Sequence, residues 1–576
     1  LIVNGKQFNL GIHCYGDVYE PRGHKYIVDF SADPVPQITY KIGEIVFRKT
    51  LLLAPDRDQL LVKYELVESP AEAEVTIRPL LPFRNIHDLT HRNPECSQAY
   101  EALPGGAAFR LYEGFPYLNI QCSDTKAKFE PYPCWYMNVT YTDEYRRGFD
   151  CKEDIYSPGI FSFKLRKGRS VILSASRDAQ VVPSEFRKTF VGSLKALSEI
   201  KNVHDQLVRC ADLLVTNHNG IKHINAGYSW MYTGLLRETL QALPGLTLYG
   251  LQSPSDFEEI LDNLIAAEQD RLLRRTTQVE APLYLATTLQ LYIDYGADPK
   301  HVWDKYGATV KAIIKSYLPG VRSEVGMQPN GLLWAQMDGV ALTWMNAYIG
   351  GRAVTERAGY QVETNSFWYN TLCFAVEMEE KYGTDASFVQ EWRSIAALVK
   401  DSFNSTFMVQ GRGYLADYVD GAGQHTEVRP NQLYAIWVKN SPIDEELHPG
   451  ILRVVDSELV TARGIRTLSP RDVNYRGVYE GSQLERDLAY HQGCTRPSLL
   501  EPYVDVCFRI KGPAFWKKAE WLTEGFYADL SKHGVGAFSE LYDGDPPHEP
   551  HGAISSALST AALLSVDYML EKNKEK

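Results

Sequence analysis

The sequence predicts an antiparallel β-sandwich followed by a ring of paired helices. Three observations carry that reading. Apolar and polar residues alternate as far as about residue 180, apolar residues recur at helical spacing from about residue 185, and six long loops interrupt the helical part. Period two marks strands with one buried face, whereas spacings of three and four mark amphipathic helices.

Phe161, Phe163 and Leu165 alternate with Ser162, Lys164 and Arg166. Lys167-Gly168-Arg169 reads as a turn, and VILSAS as the returning strand. Val62, Tyr64 and Leu66 alternate in the same way, as do Val75 and Ile77. Pro, Gly and Asp punctuate these runs at short intervals, as antiparallel sheets require. Residues 1–182 are therefore expected to form the sandwich, and 183–576 the helical domain. There Phe257, Ile260, Leu261, Leu264 and Ile265 form one apolar stripe, and Phe388, Trp392, Ile395, Val399 and Phe403 another. The long loops are GYSWMYTGLLRET, TTQVEAPLY, QPNGLLWAQMDGVALTWMNAYIGG, GYLADYVDGAGQHTEVRPNQLYA, LSPRDVNYRGVYEGSQLERDLAYHQG and SELYDGDPPHEPHG. Shared by one end of a helical ring, they would build a site on a rigid scaffold.

The formal charge of −12 argues against a nucleic-acid surface, which needs clustered cations, and against binding to anionic membranes. The 35 Tyr, 22 Phe and 10 Trp suit a neutral polyol partner, because flat rings cover sugar C–H faces while carboxylates accept hydroxyl protons. Nine cysteines without a C-x-x-C pair fit a reduced, cytoplasmic protein. No stretch reaches the roughly 18 apolar residues of a membrane span. The chain opens on LIVNGKQFNL, with no signal-like run and no Met, so its natural start is expected further upstream. No zinc spacing, phosphate loop or nucleophile elbow occurs, and no cofactor is expected. Composition leaves the oligomeric state open.

Candidate site residues crowd the long loops. Glu540, Asp543 and Asp545 lie together before the last helix. They suit a general base at a loop–helix junction, a calcium loop, or a solvated acidic turn. Trp334, Trp344 and Trp368 flank Asp338, Asn346 and Glu363. They are either core residues or the walls of a sugar subsite, and Asn330 and Trp334, in a Gly-containing loop, favour the pocket. Glu238 follows Arg237 at a helix start, close after Trp230. A carboxylate there is either a favourable helix-end charge or, with Arg237, a clamp on sugar hydroxyls. In Tyr490-His491-Gln492, the histidine either donates to a hydroxyl or makes a structural hydrogen bond.

Beyond these local readings, a set of motifs is recognisable. They are DLTHRNP, RGFDCKEDIYSPG and FEPYPCWYMN in the first part, then GYSW, EAPL, NGLLWA, LTWM, VETNSFWYN, YLADYVD, VRPNQLYA, LSPRD, YEGSQLERDLAYHQG and ELYDGDPPH. In them the chain resembles the amylo-α-1,6-glucosidase family of glycogen-debranching enzymes over essentially its whole length. The resemblance implies a β-sandwich followed by an (α/α)6 barrel like that of glucoamylases. It also implies inverting hydrolysis of α-1,6-linked glucose in glycogen or a related α-glucan. Inversion needs an acid and a base about 6.5–9.5 Å apart, with a water between the base and the anomeric carbon.

By motif, Glu540 takes the base position. The acid position, usually Asp after LTWM, is Asn346, an amide with no proton to donate. Asp338, Glu363 and Glu280 are the candidate substitutes. The matched motifs further place Trp230, Arg237, Glu238, Glu280, Asn330, Trp334, Trp344, Trp368, Arg429, Gln432, Tyr490, His491, Gln492 and Asp543 at the substrate. Other positions depart from the family pattern. W-G-R-D-T is LLRET here, V-W-P-W is Thr495-Arg496-Pro497-Ser498, and Q-A-W-S is Ser556-Ala557-Leu558-Ser559. Two readings follow: an inverting glycosidase, or an α-glucan-binding homologue with impaired catalysis. Epimerase or lyase chemistry is disfavoured, since no histidine pair is evident and the sandwich precedes the helices.

Overall fold

The computed structural model describes residues 1–54, 57–178, 181–197, 201–218, 220–231 and 235–574. They form two compact units, Leu1–Lys201 and Asn202–Lys576.

In the first unit, a five-stranded and an eight-stranded antiparallel sheet share one core. Phe161, Phe163 and Leu165 from the smaller sheet meet Phe47, Leu66, Ile120 and Leu173 from the larger. This is the interdigitated inner layer of a sandwich. The turn at Gly168 departs from expectation. Lys152–Leu165 belongs to the five-stranded sheet and Arg169–Ser176 to the eight-stranded one, so the chain crosses between sheets instead of closing a hairpin. Both strands still turn apolar residues to the same core, which is why the pattern reads the same. Helix Phe186–Leu197, placed in the helical domain by the expected boundary, belongs to the first unit. Its Phe186 and Phe190 cover Leu52, Leu61 and Ile172 on the other face of the larger sheet.

Besides the short helices Gln269–Leu273 and Gln483–Ala489, the second unit is built on twelve helices among the described residues. They are α1 (Val203–Leu214), α2 (Leu236–Leu243), α3 (Pro254–Ala267), α4 (Ala281–Tyr295), α5 (Pro299–Ser316) and α6 (Val362–Tyr382). The series continues with α7 (Ala386–Phe407), α8 (Gln432–Trp437), α9 (His448–Glu458), α10 (Leu500–Lys511), α11 (Trp516–Glu524) and α12 (Ala557–Lys574). The even-numbered helices pack in sequence, α2 on α4, α4 on α6, and on to α12, which returns to α2. They form a closed inner ring, and the odd-numbered helices pack outside it. Every inner helix follows an outer one, so all six run the same way and their N-terminal ends share one mouth.

The sequence explains the asymmetry between the two rings. Four outer helices start on polar caps, Asn202, Ser253, Asp298 and Asp385, whose side chains accept the first free N–H groups. Inner helices α2, α4, α6, α8 and α10 have no side-chain cap. Their free N–H groups leave a positive potential at the shared mouth. Acidic side chains stand at helix starts, Glu238 in α2, Glu280 before α4, Glu363 in α6 and Glu501 in α10, and those that ionise answer this potential. The long loops gather at this end. Residues 232–234 of the loop before α2 lie outside the described residues.

Glu501 sits inside the ring, where burial pushes its carboxyl up to about 8, with Asp505 adding repulsion. A carboxyl raised on folding holds its proton while the unfolded chain has already ionised. It therefore costs stability as pH rises from the ordinary carboxylate value towards 8. Urea denaturation at pH 5 and pH 8.5 should show the wild type losing more stability across that window than Glu501→Gln. Equal losses would contradict the placement.

Candidate active site

A cavity of about 340 Å³ opens among the inner-helix N-termini, at the small end of ligand pockets. Arg237, Glu238, Trp344, Asn346, Tyr490, His491 and Glu540, all singled out from the sequence, line it. So do Gln241, Gln278, Tyr434, Arg496 and Ser498.

Glu540 leads into the short strand Leu541–Tyr542. Its Oε1 accepts a hydrogen bond from Arg496 Nη1 at 2.7 Å and another from the Tyr490 hydroxyl, and its Oε2 accepts the Ala553 N–H at 3.0 Å. Gly552 makes room for this carboxylate. It has φ +74°, and a Cβ there would lie 2.6 Å from Oε2. The Arg496 guanidinium also stacks on Tyr490, 4.1 Å from the ring centre. Its acidity is weaker than usual, because Tyr490 and Glu540 outweigh the burial that opposes its charge. Arg237 forms the matching clamp, with Nη2 2.6 Å from Glu238 Oε1 and Nη1 3.2 Å from Glu280 Oε1. Burial raises the Glu280 carboxyl above its ordinary range despite that arginine.

Both carboxylates lining the cavity, Glu238 and Glu540, are thus paired with an arginine. That pairing suits a base or an acceptor of hydroxyl protons, not a proton donor. Asn346 is exposed to the cavity from the loop before α6. His491 is held neutral: burial, reinforced by Arg496, Arg429, Arg237 and Arg357, drives its imidazole well below the ordinary value. Its Nδ1, Glu238 Oε2 and Arg496 Nε are buried polar atoms with no hydrogen-bond partner among the described residues. Such atoms are costly, and hydroxyls of a bound ligand would satisfy them.

Trp344 forms one wall, and a buried chain of contacts holds it. Arg357 pairs with both oxygens of Glu363, the longer contact being 2.7 Å, and its Nε reaches Asp417 Oδ2 at 2.6 Å. Asp417 accepts from Asn431 Nδ2 at 2.7 Å, and Asn431 Oδ1 accepts from Trp344 Nε1 at 2.7 Å. Arg357 also donates to Thr343, next to Trp344. Sequence reasoning missed Arg357, Asp417 and Asn431. It noted position 496 only as a lost tryptophan.

Several residues expected at the substrate stand behind the cavity instead. Trp368 is fully buried on the core side of α6 and donates to the Gly331 carbonyl, so it is core and not a wall. Glu363 is occupied by Arg357 and corrects the expectation of a substitute acid. Asp338 is exposed on its loop, outside the cavity lining. Asn330 and Trp334 pair with Tyr360 and Gln336. Arg429 donates to the carbonyls of Thr467 and His491 and to the Gln492 side chain, and Gln432 donates back to the Arg429 carbonyl. These three side chains brace the His491 segment from behind. Glu280 stands behind Arg237, and Trp230 is exposed beside the lining residue Met231. Asp543 binds the Tyr479 N–H and His551, while Asp545 accepts from Tyr475, so the acidic loop does not converge on one point as a calcium loop would.

Arg357→Met should cost about 3–5 kcal/mol, because it strands two buried carboxylates. Trp368→Ala should cost a similar 3–5 kcal/mol, as a core deletion does. Denaturant titration measures both, and a fully stable Trp368→Ala protein with weakened sugar binding would return Trp368 to the pocket.

Comparison with known proteins agrees with this architecture. Residues 201–565 match the family model described as amylo-alpha-1,6-glucosidase, and residues 1–172 match the model of the glycogen debranching enzyme N terminal. Among solved structures, the chain is similar to a bacterial glucoamylase complexed with acarbose. The two are 12% identical, with a TM-score of 0.57, over 96% of this chain and 85% of that one. The likeness shows the fold, an N-terminal β-sandwich followed by an (α/α)6 barrel. No curated protein matches the sequence.

Proposed function

Because the chain belongs to the amylo-α-1,6-glucosidase family, a family of glycoside hydrolases, we propose that its cavity takes the terminal glucose of an α-glucan and hydrolyses an α-1,6 linkage with inversion. The observation that carries this reading is the joint lining of one cavity by Glu540, Asn346 and Trp344. Glu540 removes a proton from the attacking water. Trp344 covers a sugar face, while Arg237, Glu238 and His491 meet hydroxyls. Asn346 stands where the leaving oxygen needs a proton. An amide orients that oxygen by hydrogen bonding but leaves protonation to solvent. Proton transfer by a placed acid is worth about 10²–10⁴ in rate, so turnover is slow.

A second reading is favoured by one specific observation. With Asn346 an amide and both lining carboxylates paired to arginine, the cavity is furnished to bind a glucan more than to cleave it. Asn346→Asp separates the two. Restoring the acid should raise glucose release from limit dextrin by about 10²–10⁴, with maltooligosaccharide affinity little changed. No gain on Asn346→Asp, with affinity intact, would remove residue 346 from the acid position.

Glucose release, wherever measurable, should vanish in Glu540→Gln. Wild-type and variant rates that coincide would show another base at work. Acarbose, which the glucoamylase carries, should bind this protein by titration calorimetry and lose at least tenfold in affinity in Trp344→Ala.

A further inference from the structure

The barrel has a second cavity, at the opposite mouth. It measures about 400 Å³ and is built from the C-terminal halves of inner helices α4 and α12, from Glu501, Asp505, Phe508 and Arg509 along α10, from the end of α8, and from Tyr249 beyond α2. A small buried cavity of about 30 Å³ lies between the two. It shares Gln241, Tyr434, Ser498 and Leu558 with the central cavity, and Leu291, Trp437 and Glu501 with the far one. The axis of the barrel is therefore polar and partly hollow between its mouths.

The chemistry of the far cavity is specific. Tyr249 and Tyr568 stack with ring centres 4.4 Å apart and planes within 13°, so each leaves only its outer face for a ligand; the Lys572 ammonium lies 5.8 Å over the Tyr568 ring and would have to swing aside, and Trp437 and Phe508 add further aromatic surface. Asp294 is paired with Lys439 at 2.6 Å and Asp505 with Arg509 at 3.2 Å, so their charges need no ionic ligand. Asn573 and Lys572 stand at the rim. At the deep end, Glu501 is mostly uncharged at neutral pH, since burial raises it to about 8. Its carboxyl can then donate and accept. Flat aromatic faces, balanced charge and mixed donors and acceptors suit a neutral ring that has apolar C–H faces and a hydroxyl rim.

We propose that this far mouth is a second α-glucan-binding site, in which Tyr249 and Tyr568 carry a glucose unit and Asp505, Asn573 and Glu501 meet its hydroxyls. The site rests on the α-glucan reading of the protein and is separate from the hydrolytic cavity. It would hold another branch of a polymer while the central cavity holds a chain end. Two contacts on one polymer raise apparent affinity without any new catalytic group.

Maltotriose titrated into the whole protein by calorimetry tests this. The wild type should bind at two places. Trp344→Ala should keep the far one, and adding Tyr568→Ala should remove all binding. Asn573→Trp, which fills the cavity from an exposed helix end, should act as Tyr568→Ala does if that variant fails to fold. Neither Tyr568→Ala nor Asn573→Trp on its own should alter glucose release from short oligosaccharides. If Trp344→Ala alone abolishes binding, the far site is overturned and the central reading stands. If Tyr568→Ala or Asn573→Trp abolishes binding while Trp344→Ala does not, the far site stands and the central reading falls. No binding in the wild type would overturn both.

Discussion

The pairing of Arg496 with Glu540 governs what the central cavity can do. It fixes the carboxylate through Oε1, while the Ala553 N–H holds Oε2, and Gly552 leaves the space that this geometry requires. A base held so firmly loses little entropy on reaction. It also shares its lone pairs with two side chains and a backbone amide, and an arriving water must compete for what remains. A second clamp in the same cavity, Arg237 on Glu238 and Glu280, repeats the arrangement. Every acidic group lining the pocket is thereby an acceptor, and the balance shifts from proton donation towards hydroxyl recognition.

The barrel makes these clamps affordable. Six parallel inner helices, five of them without a side-chain cap, bring their N-termini to one mouth, and the positive potential there offsets part of the desolvation of nearby carboxylates. The Arg357 network performs the equivalent task for the wall. A buried guanidinium shared by Glu363 and Asp417 fixes Asn431, and Asn431 fixes the Trp344 ring. Such a network is rigid because any one missing partner leaves a charge buried alone. Its cost is stability that depends on all members being present.

The architecture was legible because it follows period and loop length. Phe161, Phe163 and Leu165 announced a buried sheet face, and the stripe through Phe257, Ile260 and Leu261 announced a packed helix. The crossing at Gly168 was not legible, since a hairpin and a link between sheets bury the same alternate residues. Seven of the eighteen residues expected at the site line the cavity, Asn346 and Glu540 among them, each from a motif on a loop or at its junction. Trp344 and Trp368 looked alike in sequence, both aromatic among polar neighbours. Only helix phase and the Gly331 carbonyl separate core from wall. Arg357 left no trace in spacing, because Asp417 lies sixty residues away and Glu363 reads as a helix-start acid. Arg496 was visible only as a departure from the pattern V-W-P-W, which says nothing of its pairing with Glu540.

A structure of the protein with a maltooligosaccharide bound tests the central claim most directly. A glucose ring is expected against Trp344, with its anomeric carbon between Glu540 and Asn346 and the glycosidic oxygen within hydrogen-bond reach of the Asn346 amide. A sugar seated with its anomeric carbon away from Glu540, or with another carboxyl at the glycosidic oxygen, would contradict it.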